Sequence, residues 1–167
     1  MSPKIKFEVV SLADVSREDA TVLPEERRPT ILIVDDERVI ADTLSIILSR
    51  SGFSTMTAYD GTAALELARV FTPELLISDV MMPGMTGVEL AIVVTQTLPG
   101  CKVLLFSGQA ATVDLLEKAR DAGYDFTAMT KPVHPTDMLK RVSECLAMRE
   151  GFSAAGMSLP EGSYVTQ

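Results

Sequence analysis

The chain has 167 residues, 47% of them hydrophobic, which suffices for the core of one compact domain. Its 15 basic and 23 acidic residues give a net charge of -8. That argues against nonspecific nucleic-acid binding, which needs a basic surface to displace counterions, so no nucleic-acid partner is expected.

Apolar runs such as TILIV and KVLLF are too short to span a bilayer, and the N-terminus lacks the apolar stretch of a secretory signal. Cys101 and Cys145 make neither a disulfide framework nor a metal cluster. The expectation is a cytoplasmic protein with no membrane partner.

Residues 1–29 contain the short alternating piece KIKFEVV and then a polar stretch ending in PEERRP, which reads as an extension or linker. From Thr30 a period sets in. TILIV (30–34) is an apolar run of the kind found in strands covered on both faces. A helix pattern follows, with Ile40, Leu44, Ile47 and Leu48 on one face and Gly52 as its stop. STMTAY (54–59) is a second strand. Asp60 is placed to cap a helix carrying Ala64, Leu65, Ala68 and Phe71.

LLIS (75–78) is a third strand. Thr86 and Glu89 have capping-box spacing ahead of Leu90, Val93, Val94 and Leu98. KVLLF (102–106) is a fourth strand, followed by a helix with Val113, Leu116, Ala119 and Arg120 that stops near Gly123. DFTAMT (125–130) is a weaker fifth strand. His134 and Pro135 then open a last helix that buries Leu139, Val142, Cys145 and Leu146. This makes residues 30–148 the folded domain and 149–167, rich in Gly and Ser, a flexible tail.

Strand and helix alternate five times, which predicts an α/β domain with a parallel sheet and helices on both faces. Ligands of such sheets bind beyond the carboxyl ends of the strands. There the chain delivers Asp35 and Asp36 after the first strand, Asp79 after the third, Ser107 after the fourth and Lys131 after the fifth. Carboxylates about 4 Å apart repel by on the order of 4 kcal/mol per pair at an effective dielectric near 20, so such a cluster protonates or holds a cation. All-oxygen donors favour a hard ion such as Mg²⁺. A carboxylate beside it can attack phosphorus, while Lys131 and Ser107 stabilise the phosphoryl oxygens. The parts fit phosphoryl transfer onto Asp79.

At these positions the sequence resembles the receiver domain of bacterial two-component response regulators. The resemblance rests on VDDE (34–37), SDVMMPGMTG (78–87), FSG (106–108) and TKP (130–132), in order and each at a predicted strand end. It implies a flavodoxin-like fold with strand order 2-1-3-4-5. It implies that Asp79 is phosphorylated by a sensor histidine kinase or phosphotransfer protein, with Lys131 pairing with the phosphoryl group and Ser107 moving toward it. Mg²⁺ would be held by Asp36, Asp79 and the carbonyl of Met81, and by Asp35 more through water. The Lys131–Pro132 bond would be cis. Output would pass to an unknown downstream protein through the fourth helix, fifth strand and fifth helix.

The sequence departs from the pattern at Ala128, where receivers usually carry Tyr or Phe; Phe126, two residues earlier, is the candidate substitute. Met81 is apolar where many relatives have a polar group. Two other readings stand beside this one. A haloacid-dehalogenase-like phosphatase also uses Asp, Lys and Mg²⁺, but its nucleophile lies in a D-x-D pattern after the first strand, where this chain reads DDERV. A phosphorylation-independent scaffold would keep only the fold.

Overall fold

The structure, a computed structural model, describes residues 27–108 and 111–147. Most of the expected N-terminal extension and all of the expected tail lie outside the described residues. The elements in chain order are β1 (Thr30–Val34), α1 (Arg38–Arg50), β2 (Ser54–Ala58), α2 (Gly61–Phe71), β3 (Leu75–Asp79), α3 (Gly87–Thr97), β4 (Lys102–Ser107), α4 (Ala111–Asp121), β5 (Thr127–Thr130) and α5 (Pro135–Ala147). The strands form one parallel sheet in the order β2-β1-β3-β4-β5. This is the flavodoxin-like arrangement.

The apolar runs reflect a sheet covered twice. On one face Ile31, Ile33, Leu75, Ile77, Leu104 and Phe106 pack against Ala41 and Leu48 of α1 and Met138, Val142, Cys145 and Leu146 of α5. On the other, Leu32, Val34 and Leu76 meet Ala64 and Ala68 of α2 and Leu90 and Val94 of α3. Leu105, Val80, Val88, Ala91 and Ala119 close the space between α3 and α4. Each fully buried Leu or Ile contributes about 1.5–3 kcal/mol of transfer free energy.

Local signals fixed several boundaries. The Asp60 carboxylate accepts the Ala63 N–H at 2.8 Å and starts α2. Thr86 and Glu89 form a complete capping box on α3. His134 accepts the Thr136 N–H through Nδ1 at 3.3 Å, a structural role at the start of α5. At the opposite edge of the sheet, Glu74 ties three strands together. Its N–H donates to the Thr30 carbonyl, its carbonyl accepts from the Lys102 N–H, and its carboxylate takes the Thr30 N–H at 2.7 Å and pairs with Arg27 at 3.3 Å.

Some expected faces are rotated or cut short. Phe71 is in phase with Ala64 and Ala68 but is the last residue of α2, where the chain turns through left-handed Thr72, and it is 54% exposed. In α4, Val113 faces solvent and Thr112 is fully buried, because the helix's first turn is bound to β4 through Thr112. Arg120 is likewise exposed and pairs with Asp125. In α5 Met138 is buried alongside Val142, and Leu139 is half-buried. β5 begins at Thr127, so Phe126 precedes the strand and stacks on Tyr124 against the α3–α4 cluster. Phe126 thus lies on the side of the sheet of Leu105, the register neighbour of Ala128, as its two-residue spacing predicts, but one residue ahead of the strand, and Ala128 is exposed.

Candidate functional site

The carboxyl ends of β1, β3, β4 and β5 bring the expected residues to one place. Asp35 and Asp36 follow β1, Asp79 ends β3, Ser107 ends β4 and Lys131 follows β5. Adjacent parallel registers set Val34 beside Ser78, Asp79 beside Phe106 and Ser107 beside Thr130, so all these residues emerge at one level.

Oxygen atoms of Asp35, Asp36 and Asp79 lie within 4.8 Å of one another. Lys131 Nζ sits 2.8 Å from Asp79 Oδ1 and 3.2 Å from Asp35 Oδ2. The other Asp35 oxygen accepts the Glu37 N–H at 2.9 Å. Asp35 is buried with both oxygens engaged, Asp79 is nearly buried, and Asp36 is exposed. The Lys131–Pro132 bond is cis. Met81 follows two residues after Asp79 with an exposed side chain.

The electrostatics are asymmetric. Burial raises the pKa of Asp79 above its ordinary value. The Lys131 hydrogen bond and charge oppose this, while Asp35 and Asp36 add to it. Burial works against the Lys131 ammonium, yet its hydrogen bond to Asp79 and the charges of Asp35 and Asp79 outweigh that and raise its pKa. The two directions are compatible because one cation serves several carboxylates: it gains from each, whereas they share it. Three oxygen-donor side chains crowded around a single ammonium suit a hard divalent cation such as Mg²⁺.

Two residues not singled out as site residues from sequence support this geometry. An ideal Cβ at Gly87 would lie 2.0 Å from the Asp79 carbonyl oxygen, so only glycine admits the close approach of α3 to the end of β3. The Asp79 carbonyl also accepts the Ser78 hydroxyl at 2.9 Å. The second residue is Thr112, whose hydroxyl shares a hydrogen bond with that of Ser107. Gly87 had a weak signal, a glycine at the first helical position of a capping box. Thr112 had none, since a threonine in a first helical turn is commonplace.

The family model of the response regulator receiver domain matches residues 31–143. The DNA-binding response regulator MtrA of Mycolicibacterium paratuberculosis is 31% identical over 134 residues, which are 80% of this chain and 58% of that protein. The transcriptional regulatory protein CreB of Escherichia coli is 32% identical over 138 residues, 83% of this chain and 59% of that one. The chain thus spans under two thirds of the length of these relatives. Among solved structures, a CheY-like receiver domain protein from Methanospirillum hungatei superposes with a TM-score of 0.68 at 30% identity, covering 73% of this chain and 96% of that one. The chemotaxis protein CheY4 of Vibrio cholerae gives 0.65 at 28% identity, covering 72% and 100%.

Proposed function

The chain belongs to the response regulator receiver domain family, and on that premise we propose that it is a phosphorylation-dependent signalling receiver with Asp79 as its phosphoacceptor. The donor is a phosphohistidine on a sensor histidine kinase or a phosphotransfer protein. The observation that carries this reading is the meeting of Asp35, Asp36 and Asp79 oxygens within 4.8 Å, with Lys131 2.8 Å from Asp79.

In the proposed step an Asp79 carboxylate oxygen attacks phosphorus. The new O–P bond forms as the N–P bond to the donor imidazole breaks, and the electron pair of that bond stays on the imidazole nitrogen. Lys131 balances charge on the transferred group, and the Ser107 hydroxyl donates to one of its oxygens. Asp36, Asp79 and the Met81 carbonyl would hold Mg²⁺, which when bound supplies charge neutralisation at the phosphoryl oxygens. Asp35 already directs one oxygen to Glu37 N–H and one to Lys131, which supports a water-mediated role for it. The exposed Met81 side chain has no group to orient an attacking water, so it gives hydrolysis of the acyl phosphate no assistance.

The phosphatase reading loses ground to the family match and to the position of the nucleophile after β3 rather than β1. The chain's role is signalling rather than turnover of external substrates. Output by protein contact through α4, β5 and α5, in the cytoplasm, belongs to this proposal. Among the described residues no helix is long and apolar enough to cross a membrane. The expectation of no nucleic-acid partner draws no support from the relatives, which carry the names of DNA-binding and transcriptional regulators.

The test is incubation with Mg²⁺ and acetyl phosphate, followed by intact mass measurement. Wild type gains one phosphoryl group and Asp79→Asn gains none. An equal gain in both proteins refutes the assignment.

A further inference from the structure

Thr112 is a fully buried hydroxyl in the first turn of α4, at a place where the helical period calls for an apolar side chain. Its oxygen shares a hydrogen bond with Ser107 Oγ. Ser107 is also tied through its main chain, its carbonyl accepting the N–H of Lys131 at 2.8 Å. One residue at the end of β4 therefore contacts both the main chain of Lys131 and the first turn of α4. The aromatic ring expected on β5 is missing, and Ala128 offers only a methyl group. We propose that Thr112 is a positioning residue that holds the Ser107 hydroxyl on the α4 side in the resting protein and yields it when Asp79 is phosphorylated, handing the state of the site to α4 through a hydroxyl pair instead of a ring.

The proposal rests on Asp79 being the phosphoacceptor. A serine side chain has three staggered positions about χ1, and rotation toward Asp79 carries its oxygen away from Thr112. The bond given up is neutral, and its replacement, from a hydroxyl to a phosphoryl oxygen, is charge-assisted and stronger. The exchange runs downhill once the phosphoryl group is present. Before that, Ser107 stays with Thr112. The same exchange removes the Ser107 tie from the first turn of α4, and that loosening is the output of the device.

The experiment titrates the wild type, Thr112→Val, Thr112→Ser and Ser107→Ala with beryllofluoride in Mg²⁺, a phosphoryl mimic, following binding by NMR. Valine keeps the shape of threonine and removes the competitor for Ser107. Thr112→Val should bind the mimic about fivefold more tightly, the worth of one ordinary hydrogen bond. Thr112→Ser should stay within about twofold of wild type by the same measure. In a Ser107→Ala background, Thr112→Val should change nothing.

Amide hydrogen exchange supplies a second measurement on the wild type alone, in case valine is not tolerated. Saturation with the mimic should speed exchange in the first turn of α4. Unchanged affinity in Thr112→Val, an equal gain without Ser107, or unaltered exchange in α4 overturns the proposal. Failure of wild type to bind the mimic or take up phosphate at Asp79 instead overturns the phosphoacceptor reading beneath it.

Discussion

The Lys131 ammonium lies 2.8 Å from an Asp79 oxygen and also reaches Asp35 at 3.2 Å, so a single cation holds together two nearly buried carboxylates from different strands. Replacing it with a neutral chain leaves those carboxylates uncompensated. Lys131→Met should cost about 2 kcal/mol of stability, less than a fully buried pair because the lysine is partly exposed. Phosphorylation by acetyl phosphate should slow by about a hundredfold, the usual loss on removing one charge-stabilising donor. Urea denaturation and timed mass spectra read the two effects. The stability loss should shrink when Asp79 is already Asn.

Asp79→Asn should make the metal-free protein more stable at neutral pH. The pKa of Asp79 is raised by burial, with Asp35 and Asp36 adding repulsion, so the fold favours its protonated form. The associated stability is present below the ordinary carboxylate range and is lost as pH rises through the raised value. A neutral amide avoids that loss, with a gain on the order of 1 kcal/mol. Melting curves in EDTA should show the gain at pH 7 and its disappearance in acid.

Gly87→Ala should destabilise the fold by about 3 kcal/mol, the upper end of ordinary overpacking. The clash is with main chain, the Asp79 carbonyl at 2.0 Å, and has no flexible side chain to absorb it. Gly100→Ala is the control, because an added Cβ there meets nothing within 4 Å. Its urea midpoint should match wild type.

The capping box of α3 predicts an acid-sensitive helix start. The Glu89 carboxylate is held below its usual pKa by the Thr86 backbone N–H and then by the Thr86 hydroxyl. Its contribution is present above the ordinary glutamate value and fades as pH falls through the lowered one. Thr86→Ala should cost about 1 kcal/mol at neutral pH. The difference between Glu89→Gln and wild type should narrow in acid, as read by thermal melts across pH.

Cys145 should resist alkylation in the native protein and react on unfolding. Burial is the main cause pushing its thiol pKa up. The folded state therefore prefers the neutral thiol. Its contribution is present below the unfolded thiol's pKa and is lost as pH rises from there toward the folded value. Timed alkylation with and without urea, and urea midpoints above neutral pH for wild type and Cys145→Ala, check both statements.

The sheet and the acidic edge were legible because they depend on short-range pattern. A buried parallel strand is a run of apolar residues, and the residue that ends the run is the residue at the edge. Asp35, Asp79, Ser107 and Lys131 were found in this way. Helix phase was harder to read. Val113 and Thr112 differ by one position and both fit the period of Leu116 and Ala119; the polar one is buried, its hydroxyl bonded to one on β4. Met138 was missed beside Leu139 for a similar reason, since both fit an apolar stripe and only packing against the sheet ranks them. Glu74 reads as an ordinary polar residue before a strand. Its ties to Thr30 and Lys102 depend on strands that are distant in sequence.

The Glu74 tie has a practical corollary. Arg27, the first described residue, joins the domain at the edge where the strands begin, and five residues of β1 at about 3.3 Å each separate that edge from Asp35. The last helix runs back from the acidic edge toward the same side, its Cys145 and Leu146 joining the cluster of Leu48, Phe53 and Leu75. A fluorescent label placed at Arg27 or Ala147, the two ends of the described residues, thus sits on the far rim, with the face of Asp79 left open to an incoming donor.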